Sequence, residues 1–509
     1  MTLLGLDVGT AACKGLLLDP GEGITGTARR DYPLSFPAPG RVELDPGLVW
    51  DAVRDVVGEL AARAGAAGRP VRALTFSVSC DEAVAVDAEG RALGPCIMAL
   101  DTRSSAEAER FERTVGRRRI YELTGLPVHA MFPLVRLLWL REHEPALFRR
   151  TARFLAWHEY LALRLGLEPV GDPSVAARTL AYDIRARAWS DELLAAAGLR
   201  ASLFARVQPS GTAIGELPAA AAGTLGLGAG VRLVTGGMDQ SMAALGSGAI
   251  EPGAAMVGTG TWQAVTVVAE APILTEAMLA SGFAFGPHIA PDRYAAMATN
   301  ASGGSLLRWA RDVFAPGEPY ERLLPDRFER PTDLLVLPHF EGSVSPWMDP
   351  ASRGAIVGLD LATGRQELLQ AIIEGVTFEL RENLERMEAG GLAIRDLRAT
   401  GGGARSTAWL QLKADATGRP VSTVNIGEPG AFAAACLAGV GAGVFASVAE
   451  PIARFVRTTA TYEPRPPMAA AYGERFARYR RLYPALSGLD RPTRRGRAGA
   501  APPGPTPGR

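Results

Sequence analysis

The chain twice runs an apolar strand into a turn of small residues and straight back into a second apolar strand. Near the start, residues 3–7 lead through Val8, Gly9 and Thr10 to residues 15–19; later, residues 254–268 fold about Gly258, Thr259, Gly260 and Thr261. Two such hairpins, each followed by helical and strand-like segments, restrict the chain to an α/β architecture. After the first, Asp45 and Pro46 supply a cap and a first-turn proline, and Val49, Trp50, Val53, Val56, Val57 and Leu60 keep helical spacing. Residues 71–78 then read as a strand ending at the polar cluster Ser79, Cys80, Asp81 and Glu82. After the second hairpin, residues 363–366 (Thr-Gly-Arg-Gln) read as a capping box for a long helix carrying Leu368, Ile372, Val376, Leu380, Leu384 and Met387, closed by Gly390 and Gly391. A strand at 397–400, the run Gly401, Gly402, Gly403 and a helix from Ser406 to Gly418 follow.

The pattern predicts two similar α/β halves flanking a central cleft, residues 1–248 and 249–490, with the break near 245–253, where Gly246, Gly248, Pro252 and Gly253 interrupt the periodicity. A length of 509 residues fits two or three large domains. From residue 491 the composition turns to Arg, Pro, Gly and Ala, which cannot bury enough surface to order itself, so 491–509 is expected to be a disordered tail.

Lys+Arg and Asp+Glu are each 54, so no net field would collect nucleic acid or an anionic membrane. Nearly all the positive charge is arginine; the lysines are Lys14 and Lys413. The four cysteines, Cys13, Cys80, Cys96 and Cys436, are too sparse for a disulfide framework and show no zinc spacing, which points to a reducing, cytoplasmic setting. Residues 429–449 are uncharged over about the length a bilayer needs, but their Ala and Gly content and the flanking Glu428 and Glu450 predict buried helices and no membrane span. No secretory signal is expected.

Turns of small residues let backbone N–H groups approach an anion closely, so both hairpin turns are candidate phosphate sites, and Asp7 beside Gly9 and Thr10 could hold a hydrated magnesium ion there. Alone, each is as readily a tight turn; together with the glycine run at 401–403 they form a pattern. Residues 21–26 spell GxGxxG but lead into Thr27, Ala28 and Arg29 rather than a helix, which excludes a dinucleotide fingerprint, and no P-loop occurs. Three polar clusters sit just past strand ends, where open α/β sheets bind ligands: Asp81 with Glu82, Asp101 with Arg103, and Asp239 with Gln240. The histidines, His129 among them, show no metal spacing and read as structural.

With these residues in view, the chain resembles the FGGY carbohydrate kinases of the actin, hexokinase and Hsp70 superfamily over roughly residues 1–485. Asp7-Val8-Gly9-Thr10 through Lys14 is similar to the first phosphate motif, Gly258-Thr259-Gly260-Thr261 to the second, and Gly401-Gly402-Gly403-Ala404 with Gln411 to the adenosine motif. The run from Gly354 to Glu374 matches the C-terminal family signature. The resemblance implies two ribonuclease-H-like domains closing over ATP, Mg2+ and a sugar. Asp239 stands where the general base is expected and, with Asp7, near the metal; Asp81, Glu82, Asp101, Arg103 and Gln240 stand where the sugar is read. The expected activity is ATP-dependent phosphorylation of a terminal hydroxyl of a neutral ketose or polyol, xylulose-like first, since Asp81 and Glu82 together would repel an anionic sugar. The alternatives are a kinase for a sugar acid such as gluconate and a catalytically weak sugar-binding regulator. A homodimer is left open.

Overall fold

The structure, a computed structural model, describes residues 1–488; the expected tail lies outside the described residues. The first half builds a sheet from β1 (Thr2–Val8), β2 (Ala12–Asp19) and β3 (Gly23–Asp31), then α1 (Pro46–Ala66) and β4 (Val71–Val78), and later β5 (Ala213–Glu216) and β6 (Arg232–Val234), before α2 (Asp239–Gly246). The sheet order is β5-β6-β4-β1-β2-β3. β2 returns antiparallel to β1 with Asp7 opposite Lys14, while β4 runs parallel to β1 with Asp7 opposite Ser77. The GxGxxG stretch lies at the start of β3, as its context requires.

The second half repeats the plan. β7 (Ala254–Thr259), β8 (Gln263–Ala269), β9 (Ala284–Pro287) and β10 (Tyr294–Asn300) precede the long α3 (Arg365–Ala389). β11 (Asp396–Thr400), α4 (Thr407–Thr417), β12 (Val421–Val424), α5 (Pro429–Gly441) and β13 (Thr458–Tyr462) complete it. Here the order is β9-β10-β8-β7-β11-β12-β13. Reading outward from each hairpin, β3-β2-β1-β4-β6 corresponds to β10-β8-β7-β11-β12, so the two halves share one ribonuclease-H-like topology.

Local chemistry accounts for most element ends. Asp45 caps α1 by accepting the Gly47 N–H at 2.8 Å, and Val49, Val53, Val56, Val57 and Leu60 are buried. Ser406 caps α4 by accepting from the Trp409 N–H at 3.3 Å. The capping box expected at the start of α3 does not form: the N-cap is Gly364 and makes no side-chain bond. The Thr363 hydroxyl instead bonds the side chain of Asp360, 3.0 Å away, in the preceding turn. The same hydroxyl accepts the Asp360 N–H at 3.0 Å, so both its donor and its acceptor are engaged in that turn rather than at the helix start.

The 429–449 run forms α5 and a turn, and among the described residues no helix is long and apolar enough to cross a membrane. Its apolar face has another use. α5, from the second half, lies on the first half's sheet opposite α1, packing Ala431, Phe432, Ala435 and Leu437 against Leu3, Leu16, Leu18, Ala73 and Val234. The approach is so close that a Cβ on Gly5 would lie 1.9 Å from the Ala431 carbonyl oxygen, and one on Gly246 of α2 would lie 2.0 Å from that of Pro429. The two halves are thus joined by backbone-to-backbone packing at the cleft floor.

Candidate active site

β1, β4 and the short strand Gly237–Met238 are parallel neighbours, with Ser77 opposite both Asp7 and Gly237. All three therefore end at one edge and deliver Asp7, the segment from Ser79 to Glu82, and Asp239 to the same place. Asp239 opens α2 and accepts the Gln240 N–H at 2.6 Å on Oδ1. Burial, then the Asp7 and Asp81 carboxylates, push its pKa up to about 8. Burial also raises Asp7, which Ser77 Oγ steadies by donating to Oδ1 at 2.7 Å. The remaining carboxylate oxygen of each, Oδ2, accepts no protein hydrogen bond among the described residues. Two neighbouring carboxylates, the Asp7 charge raising Asp239 and each with an oxygen to spare, suit a hard divalent cation bound partly through water.

Asp81 and Glu82 separate. Asp81 accepts from Arg178 Nε at 2.7 Å on Oδ1, and the Arg178 guanidinium stacks 5.0 Å from the Phe132 ring centroid. Arg178 also feels the Asp239 charge. Glu82 is 1% exposed, and its Oε1 accepts a long 3.4 Å bond from the Ala99 N–H. Burial, then Asp81, raise its pKa to about 7. Glu82, expected to read the sugar, is buried at this strand end, with the wholly buried Arg136 beside it bonding the Asp81, Ile97 and Met98 carbonyls.

Asp101 and Arg103, also expected to read the sugar, pair with each other. Asp101 is 1% exposed, and its oxygens accept from the Val42 N–H at 2.7 Å, the Arg103 N–H at 2.9 Å, and Arg103 Nε and Nη2. Arg103 also bonds Glu43 at 2.6 Å. These bonds tie the segment carrying Val42 and Glu43 to the loop carrying Asp101 and Arg103.

His129, read as structural, is exposed and within electrostatic reach of Asp81 and Arg178. Its Nδ1 accepts the Met131 N–H at 3.1 Å, so the neutral ring carries its proton on Nε2 as a donor. Desolvation by the surrounding protein, with the Arg136 and Arg178 charges, lowers its pKa against the opposing pull of Asp81. No sequence signal marked His129; for Arg178 the only hint was an arginine within the small-residue run 176–179.

On the nucleotide side, β7 and β11 are parallel, with Gly258 opposite Thr400, so the turns at 258–261 and 401–404 lie side by side. Gly401 has φ +80° and approaches so closely that a Cβ would stand 2.7 Å from the Thr259 carbonyl oxygen. Ala404 packs on the domain core, and Gly402 is exposed. The first and second turns close alike: Gly9 N–H bonds the Ala12 carbonyl and Gly260 N–H the Trp262 carbonyl, each at 3.0 Å. This leaves Thr10, Gly260 and Thr261 exposed.

Three expected nucleotide contacts have other partners. Thr259 is buried, and its hydroxyl accepts from Lys413 Nζ at 2.9 Å. Lys14 pairs with Glu428 at 2.7 Å, tying β2 to the residue before α5. Gln411 donates to Asp415 Oδ1 at 3.1 Å and to the Glu463 carbonyl at 2.8 Å.

Residues 2–246 match the N-terminal domain, and residues 255–442 the C-terminal domain, of the FGGY family of carbohydrate kinases. A glycerol kinase from Bordetella parapertussis is 30% identical over 96% of this chain and 98% of its own. A xyloylose kinase from Brucella ovis superposes with a TM-score of 0.89 at 32% identity, covering 96% of this chain and 100% of that one. A gluconate kinase from Lactobacillus acidophilus superposes equally well, TM-score 0.89, at 26% identity over 96% of this chain and 98% of its own. Full-length matches to both family domains, on a cleft whose strand ends carry Asp7, Asp81 and Asp239, have one meaning: the chain belongs to the FGGY family of carbohydrate kinases and is an ATP-dependent carbohydrate kinase.

Proposed function

We propose that the substrate is a neutral ketose or polyol, xylulose-like first, phosphorylated at a terminal hydroxyl. The observation that carries this reading is the pairing of Arg178 with Asp81 beside Asp239. The guanidinium in the pocket already has its counter-ion, so a sugar carboxylate would have to displace Asp81 and face Asp7 and Asp239 as well. Hydroxyls face no such penalty, because Asp81 and Asp239 accept from them while Arg178 and His129 donate.

Asp239 acts as general base. Its raised pKa makes it a better proton acceptor than an ordinary surface carboxylate, provided a hydroxyl comes within about 3 Å of it. Thr10, Gly260, Thr261 and the turn at 401–403 cradle the phosphates, and Asp7 with Asp239 would hold Mg2+. When bound, that ion supplies neutralisation of the phosphate charge. Closure of the two halves about the cleft floor keeps water from the γ-phosphate.

A coupled ADP-release assay over ketoses, polyols and aldonates tests the reading; turnover highest with an aldonate would overturn it. Two substitutions separate the halves of the site. Asp81→Ala is expected to raise the sugar KM at least about tenfold with little change for ATP, since it removes a charged acceptor worth about 1.5–3 kcal/mol and leaves Arg178 unpaired. An unchanged sugar KM would take Asp81 out of the pocket. Gly260→Val is expected to fold, because a Cβ there meets nothing nearer than the Trp262 carbonyl oxygen at 3.9 Å. It should weaken ATP far more than sugar, its branched side chain standing where the phosphates approach; equal losses for both ligands would show general damage instead.

A further inference from the structure

Lys413 is 0% exposed on the inward face of α4, where it forms no ion pair with any described carboxylate. Asp415, two residues on, is taken by Arg465 at 2.7 Å. Around the ammonium stand the Trp409 ring, with its centroid 4.5 Å from Nζ, and the Thr259 hydroxyl. Burying an ammonium without a counter-ion is costly, and here burial alone pushes the Lys413 pKa down to about 7. A hydrophobic side chain of the same length would fill the space without that cost.

The position of Thr259 suggests what offsets it. Lysine has only donors, so Thr259 Oγ1 accepts from Nζ and can pass its own proton toward Gln263 Oε1 at 3.2 Å; Gln263 Nε2 in turn donates to the Val376 carbonyl at 3.2 Å. This directional chain pins the residue at the centre of the second turn. Gly401 and Gly403 are packed onto the same residue, the latter so closely that a Cβ would lie 2.6 Å from Thr259 Cγ2. Lys413 therefore sits directly beneath the junction of the two glycine-rich turns, on the side away from the cleft.

We propose that Lys413 is a positioning residue for the nucleotide: its charge has no counter-ion in the protein because the polyphosphate lying across the Gly258–Thr261 turn serves as one, while its bond to Thr259 fixes the turn's shape. This rests on the reading that the turn holds phosphates. The ammonium acts through Thr259 and through space, with no direct contact to the nucleotide.

The test uses the full chain with three variants. Lys413→Met removes charge and hydrogen bond, Lys413→Gln keeps a donor for Thr259 without charge, and Lys413→Arg keeps the charge. Calorimetric titration with MgADP, sugar titration and apo melting temperature are the readouts. The expected result is MgADP binding weakened at least about tenfold in Lys413→Met and Lys413→Gln and partly recovered in Lys413→Arg. Sugar affinity should stay within about twofold, and the apo melting temperature of Lys413→Met should equal or exceed wild type. A merely structural lysine would give the opposite split, with a lower melting temperature and both ligands weakened together, and that overturns the proposal. Wild-type MgADP affinity in Lys413→Gln also overturns it. If Gly260→Val fails to weaken ATP as well, the phosphate reading of the turn falls and takes the proposal with it; if Gly260→Val weakens ATP while Lys413→Gln does not, only the proposal falls.

Discussion

Asp239→Asn is expected to lose about 10²- to 10⁴-fold in turnover, the usual consequence of removing a positioned base, and at the same time to melt later than wild type at alkaline pH. The second effect follows from linkage. The folded-state pKa of Asp239, about 8, lies above its ordinary value of 3.8, so the folded protein holds a proton that the unfolded chain has already released. The associated stability is complete below pH about 4 and is lost as pH rises through about 8. Asparagine carries no such charge. The melting temperature of the variant should therefore exceed wild type by several degrees at pH 9, with the gap closing as pH falls toward 4. Turnover near wild type would remove Asp239 from the base role, and a gap that widened on acidification would contradict its raised pKa. In the wild-type enzyme, kcat/KM for the sugar should climb through the neutral range as Asp239 deprotonates.

Gly5→Val should severely damage the fold. The valine Cβ would meet the Ala431 carbonyl oxygen at 1.9 Å and the Ala435 nitrogen at 2.3 Å, both backbone atoms of α5 that no rotamer change can clear. Overpacking of this kind costs about 1–3 kcal/mol where side chains can yield, and more where they cannot. The expected outcome is a melting temperature lower by about 10 °C or more, or no soluble protein, with sugar and nucleotide binding lost together. Gly26→Ala on β3 is the control, because its Cβ would only touch Leu17 Cδ1 at 3.5 Å. A Gly5→Val protein that melts like wild type would mean that α5 does not rest on β1 as described.

The features legible in the sequence are those made by near neighbours. The hairpins, the Asp45 cap, the glycine-rich turns and the placement of Asp239 after a strand all depend on chemistry within a few residues. Asp81 and Glu82 show where such reading stops. Both lie past the end of β4 (Val71–Val78), in a loop where strand alternation no longer assigns a side chain to a face. Asp101 reads as a free carboxylate until Val42, 59 residues earlier, presents its amide. Arg178 reaches Asp81 across 97 residues, and His129 belongs to the site only because the segment between β4 and β5 folds back over the strand ends. Thr363 failed as a cap for a local reason, since its hydroxyl accepts the Asp360 N–H and donates to the Asp360 side chain in the preceding turn.

The seating of α5 also sets a timetable for synthesis. Leu3, Leu16 and Leu18 emerge from the ribosome at the outset, and the helix that covers them begins only at Pro429. At about 5–20 residues per second, the apolar face of a finished hairpin waits roughly 20–80 s for its cover. During that interval α1 can dock on one side of the nascent sheet, while the other side stays bare and open to aggregation or to a holding chaperone. Native structure in the first half should thus appear only after translation has passed residue 441, and a ribosome stalled short of Pro429 should carry a protease-sensitive N-terminal half.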